Sequence, residues 1–244
     1  MINRELLQKY TAELGLSLTA AACDKFDRYA ALLVEWNEKM NLTAITDPDE
    51  MVLKHFTDSL TALPLLPKSE GITLVDVGTG AGFPAIPLAI ARPDLQLTLL
   101  DSLNKRLTFL DAVCEELGIT ARTVHARAEE AGQNAAFRER FDVATARAVA
   151  ATPTLLEYCL PLVKTGGRFV ALKGPESDNE HEAIRRAAAK LGGGEPMYRA
   201  LQLPVTPKEG IEPLQRRLVV VEKTKPTPKT YPRPTAKIKK DPLG

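Results

Sequence analysis

The sequence predicts an α/β fold: a mostly parallel, seven-stranded Rossmann-like sheet with helices on both faces and a helical extension at its N-terminus. Three observations carry this expectation. From Ile72 onward short β-rich runs alternate with helical stretches, residues 1–66 keep a helical period, and a glycine-rich loop joins the first strand to its helix.

In the extension, Phe26, Tyr29, Leu32, Leu33 and Trp36 recur at three- and four-residue spacing, which gives one face to bury. In ITDPDEMVLKHF, Asp47 can cap a helix start and Pro48 suits its first position. Pro64 and Pro67 interrupt the period, and PKSEG reads as a linker. The strands expected next are ITLVDVG (72–78), LQLTLLD (95–101), ARTVHA (121–126), FDVATAR (141–147) and GRFVALKG (167–174). Helices are expected at 84–91, 104–117 and 154–164, and a further one at about 179–191 precedes two last strands in MYRALQLPVT and RRLVVVEK. The expected divisions are a helical extension over 1–68, the α/β domain over 69–224 and a tail over 225–244.

Composition narrows the function classes. No apolar run is long enough to span a membrane, and the N-terminus does not read as a signal peptide. Cys23, Cys114 and Cys159 are isolated and odd in number, which indicates neither a zinc site nor a disulfide framework. A soluble, cytoplasmic monomer without metal is expected. The net charge of +1 hides an asymmetry: from Lys223 onward seven basic residues face Asp241 alone, a net +6, while the other 25 basic and 30 acidic residues give −5. The tail is rich in proline and lysine and is expected to wrap over the surface or to be mobile.

The loop DVGTGAG (76–82) follows a strand and opens a helix, where open α/β sheets bind ligands. No GK[ST] follows, so a Walker loop is excluded. GAGFPA (80–85) with Asp101 about twenty residues on does satisfy the dinucleotide pattern, so a nicotinamide-dependent oxidoreductase stays open. Asp76, however, precedes Gly78, Gly80 and Gly82, and a carboxylate aimed at the loop would repel a pyrophosphate and suit a cationic ligand. S-adenosylmethionine, with S-adenosylhomocysteine as product, is such a ligand: Asp101 can accept from its ribose, and Glu129 follows the third strand where adenine would lie.

Several strings together resemble one family, the RsmG (glucose-inhibited division protein B) methyltransferases of bacterial 16S ribosomal RNA. They are WNEKMNLTAI (36–45), HFTDSL (55–60), DVGTGAGFPAIPLAI (76–90), LLDSLNKRLTFL (99–110), ATARAVA (144–150) and YPRPTAKIKKDPL (231–243). The resemblance implies a class I S-adenosylmethionine-dependent methyltransferase fold and methyl transfer to N7 of guanine 527 in the 530 loop, on 16S rRNA or the small ribosomal subunit. It further implies cofactor contacts at Gly78, Phe83, Ala128, Glu129 and Arg147. Ala85 stands where many members carry glycine.

The chemistry agrees with a ring-nitrogen acceptor. Guanine N7 carries an in-plane lone pair, so its methylation needs alignment and a dry, suitably charged pocket more than a general base. The fourth strand is followed by no [DN]PP[YF] motif for exocyclic amines, and Cys159 lies in an apolar helical run rather than at a strand end. Arg147 and Lys173, which end the fourth and fifth strands, and His55 are the catalytic candidates. Arg127, Lys173, Arg233, Lys237, Lys239 and Lys240 are expected to bind RNA. A third reading, an RNA-binding assembly protein with a relic cofactor pocket, is disfavoured by the intact loop and acids.

Overall fold

The computed structural model describes residues 1–147, 149–174, 180–204 and 213–244. Ala148, Asn179, Val205 and Thr206, which belong to strings or elements named above, lie outside the described residues.

Seven strands form one sheet in the order β3-β2-β1-β4-β5-β7-β6. Strands β1 (Thr73–Val77), β2 (Gln96–Asp101), β3 (Ala121–His125), β4 (Phe141–Arg147) and β5 (Val163–Lys173) run parallel. Strand β7 (Gln215–Glu222) is antiparallel to β5, and β6 (Met197–Gln202) is antiparallel to β7. The chain leaves β1 for β2 on one side and returns to β4 on the other. A crevice therefore opens at the carboxyl end of β1.

Strand alternation divides the core into two faces. Leu74, Leu97, Val143 and Val170 join one apolar cluster with α1 (Arg4–Glu13), α2 (Ala20–Met40), α5 (Ala85–Ala91) and α6 (Asn104–Leu117). Val75, Ala144, Phe169 and Val219 join the other with α7 (Ala128–Gln133), α8 (Thr152–Cys159) and α9 (His181–Lys190). Phe26 and Tyr29 of α2 are fully buried on the first face. Burial of side chains of this size contributes about 1.5–3 kcal/mol each, which holds the extension to the sheet.

The second helical stretch of the extension starts as its sequence suggests: Asp47 Oδ1 accepts from Glu50 N at 2.9 Å, with Pro48 in the first turn. Helix α3 (Pro48–Met51) then widens into a π turn over Val52–Thr57 before α4 (Asp58–Leu60). One boundary differs from expectation. The helix expected to reach 164 ends as a 3-10 turn over Leu160–Leu162, and β5 begins at Val163. Gly167 permits this, because a Cβ there would lie 2.5 Å from the Asp142 carbonyl oxygen on the neighbouring strand.

The tail packs into the domain at two points. Its helix α10 (Thr235–Lys240) buries Ile238 completely, and Leu243 joins the second apolar cluster.

Candidate active site

The glycine loop is held from three directions. Gly78 N and Thr79 N donate to the Leu100 carbonyl at 2.8 and 3.1 Å, and Gly80 N donates to Asp101 Oδ2 at 3.0 Å. The Tyr29 hydroxyl, from α2, donates to the Ala81 carbonyl. The three glycines have positive φ values of 67°, 59° and 97°, so each occupies the left-handed region that side chains resist. Only two face the crevice. A Cβ on Gly82 would meet Ile86, Leu110 and the Tyr29 hydroxyl at 2.7–2.9 Å, so this glycine serves close packing rather than a ligand.

Two cavities meet at Gly78, Asp101 and Ser102. One, of about 420 Å³, is lined among others by Ala128, Glu129, Arg127 and Tyr158. The other, of about 430 Å³, is lined by His55, Phe83, Arg106, Arg147 and Thr43. Asp101 serves both: its Oδ1 accepts from Leu103 N at 2.9 Å, and Arg106 stands 3.4 Å from Oδ2. Glu129 is buried beside the first cavity and accepts from the Thr235 hydroxyl.

In the second cavity, Arg147 is the organising side chain. Alternation along β4 turns it to the face covered by the extension, where Nη1 donates to Asp58 Oδ2 at 3.0 Å and to the Lys54 carbonyl at 3.1 Å. Its guanidinium carbon lies 4.7 Å from the Phe83 ring centroid. The His55 ring stacks on Phe83 at 4.4 Å and 21°. Arg216 of β7 binds the other Asp58 oxygen at 2.8 Å, so one buried carboxylate joins two guanidiniums. Burial, then the Arg147 cation, push the His55 pKa down to about 3. The imidazole is neutral at physiological pH.

Several expected site residues stand elsewhere. Asp76 is fully buried beneath the loop and lines neither cavity; its Oδ1 accepts from the Thr145 hydroxyl at 2.7 Å, while Oδ2 has no partner. Burial pushes its carboxyl up to about 7 against the Thr79 and Thr145 hydroxyls and Arg147. The expectation from its place before the loop was a carboxylate aimed at the ligand; the structure places it under the loop, behind the cavity walls. Lys173 follows Leu172, which pairs with Arg147, so alternation turns it to the opposite face of the sheet; its Nζ donates to the Ala150 carbonyl at 3.1 Å and lines neither cavity. Arg233 is buried against the fully buried Glu157, with Nε and Nη2 donating at 2.8 and 2.7 Å. Lys237, Lys239 and Lys240 remain exposed, and Lys239 also lines the first cavity.

Thr43, Asp58 and Thr235 lie inside strings quoted above without being site candidates in their own right, and Tyr158 lies outside them. Their roles depend on contacts between distant segments, which leave no local pattern. Among the described residues no group of three or more His, Cys, Asp or Glu side chains is placed to hold a metal ion, and no helix is long and apolar enough to cross a membrane.

Residues 22–205 match the family model described as rRNA small subunit methyltransferase G. The chain is 47% identical over 245 residues to the ribosomal RNA small subunit methyltransferase G of Lactobacillus delbrueckii subsp. bulgaricus, covering 99% of this chain and 100% of that protein. It is 46% identical over 241 residues to the protein of the same name from Acetivibrio thermocellus, covering 98% and 96%. Among solved structures, a SAM-dependent O-methyltransferase from Thermotoga maritima superposes with a TM-score of 0.55 at 16% identity, over 80% of this chain and 72% of that one. That last likeness is one of fold.

Proposed function

From the premise that the chain belongs to the rRNA small subunit methyltransferase G family, we propose that it methylates N7 of a guanine in the 530 loop of 16S rRNA. The methyl donor would be S-adenosylmethionine, and the reaction would take place in the cytoplasm on 16S rRNA or the small ribosomal subunit, with the chain acting as a monomer.

The observation that carries this reading is the pair of cavities meeting at Gly78, with carboxylates on one side and Arg147 and His55 on the other. The cradle fits the donor. A Cβ on Gly80 would find nothing nearer than 3.9 Å, so the bare backbone there leaves room for a ligand to approach. We assign the cavity beside Ala128 and Glu129 to the adenosine end and the cavity beside Phe83 and Arg147 to the transferable methyl and the guanine. The bound cofactor supplies an electrophilic methyl on a sulfonium centre. Asp101, which lines both cavities, gives their junction the negative character a cationic ligand favours.

The residues of this chain then act by placement. Guanine N7 needs no deprotonation, and His55, held neutral, is not asked to take a proton. Asp58, the Lys54 carbonyl and Phe83 fix the Arg147 guanidinium, which leaves a preorganised cation at the cavity wall to orient the guanine nucleotide through its base carbonyl or its phosphate oxygens. The exposed Lys237, Lys239 and Lys240 supply phosphate contacts.

The test maps 7-methylguanine in 16S rRNA from cells carrying the intact chain or its Arg147→Ala variant. A single guanine of the 530 loop should lose its methyl in the variant. An unchanged methylation map would overturn the assignment.

A further inference from the structure

Resting on that reading of the cofactor site, we propose that α10 is a built wall of the adenosine-side cavity and that Thr235 is a positioning residue for Glu129. The Thr235 hydroxyl donates to Glu129 Oε1. A carboxylate offers two oxygens, so this bond fixes the plane of the group and leaves Oε2 for a ligand hydroxyl or amine. Lys239 and Pro242 line the same cavity.

Thr235 reaches Glu129 because the chain is anchored on both sides of it. Upstream, Arg138 Nη1 donates to the Tyr231 carbonyl at 2.8 Å, Gln133 Nε2 donates to the Pro232 carbonyl at 2.8 Å, and Arg233 forks onto Glu157. Downstream, Ile238 is fully buried and Leu243 is 5% exposed. Helix α7, which begins with Ala128 and Glu129, is shaped for this segment: a Cβ on Gly132 would come within 2.7 Å of Pro232 Cγ. The side chain that orients the acid is thus delivered from 106 residues away along the chain by a docked segment.

This changes how the basic tail relates to the methyl donor. A purely RNA-binding tail would leave cofactor affinity untouched. Here one short helix carries both a pocket wall and the exposed Lys237 and Lys240. Any shift of α10 on contact with RNA must alter cofactor affinity, and the donor must alter RNA affinity by the same factor.

The test titrates the full chain with S-adenosylhomocysteine and, separately, with adenosine. Thr235→Val should weaken both ligands about tenfold, Thr235→Ser should restore wild-type affinity, and Lys229→Ala, a tail substitution away from the cavity, should change nothing. Serine rescue separates positioning by the hydroxyl from a packing defect. Equal affinity of the wild type and Thr235→Val for S-adenosylhomocysteine would overturn the inference, whereas a wild-type chain that binds none would overturn the parent reading. If Thr235→Val fails to fold, Lys239→Ala provides the second measure: a changed affinity supports the wall, and an unchanged one removes it.

Discussion

Arg147 Nη2 and His55 Nδ1 lie 3.4 Å apart, and because a guanidinium can only donate, Nδ1 must be the acceptor. The ring proton then sits on Nε2 and donates to the Thr43 hydroxyl oxygen at 2.8 Å, an atom that also receives the Ile45 amide. The extension and the sheet are joined here through one neutral imidazole of defined tautomer.

This pairing sets a pH dependence. The His55 pKa falls to about 3 in the folded chain from about 6.5 when unfolded, so the unfolded state binds the extra proton as pH drops. Stability from this group is intact above pH 7 and declines through the unfolded pKa, by about 2 kcal/mol at pH 5. Urea unfolding at pH 8 and pH 5 should show a smaller acid loss in His55→Gln than in the wild type. The methylation rate should show no inflection near pH 6.5 attributable to this residue.

Asp76 works in the opposite sense over nearly the same window. Its folded pKa of about 7 lies above the value of about 4 expected when unfolded. The folded state therefore holds its proton longer, and stability falls as pH rises from 4 to 7, then levels off. The full effect is about 4 kcal/mol. Asp76→Asn should remove that slope, so the variant gains on the wild type between pH 4 and pH 8. Equal slopes in the two proteins would show that the carboxyl is ionised throughout.

The three loop glycines should separate into three phenotypes. Gly82→Ala forces a Cβ against Ile86, Leu110 and Tyr29, an overpacking that costs about 1–3 kcal/mol. Gly78→Ala meets Val149 at 2.8 Å at the junction of the two cavities and should weaken S-adenosylhomocysteine most. Gly80→Ala adds strain at φ 59° without a clash, so its stability loss should be the smallest. Thermal unfolding and ligand titration of the same three variants check the order.

Much of the fold could be read from local signals, and much of the site could not. The runs around Leu74, Leu97 and Val143 announced strands because apolar β-formers alternate with helical stretches there, and the observed strands agree to within a few residues. The glycine loop was equally legible as a crevice-forming turn. Which strand-end cation enters the crevice was harder, since it depends on the pairing of β4 with β5: Arg147 lies opposite Leu172, and Lys173 is one residue out of phase. Composition also treated the tail as one cationic run, because the buried partner of Arg233 is Glu157, 76 residues away.

That last distinction yields a separable pair of effects within the tail. Glu157→Ala removes the buried carboxylate from the Arg233 guanidinium and leaves it only Asp241, through a carbonyl at 2.9 Å and an exposed carboxylate at 3.5 Å, and breaking a buried pair costs up to about 3–5 kcal/mol. It should lower the thermal midpoint sharply. Lys237 and Lys240 are exposed near the end of α10, so alanine at both should leave the midpoint unchanged. Their loss should instead reduce the salt dependence of rRNA binding, by a slope of roughly 1 per phosphate contact removed. Fluorescence anisotropy with a 530-loop fragment at several salt concentrations, alongside thermal unfolding, resolves the two. An unchanged salt slope in the double variant would place the RNA contacts elsewhere on the protein, while an unchanged midpoint in Glu157→Ala would mean that the tail is not held by this pair.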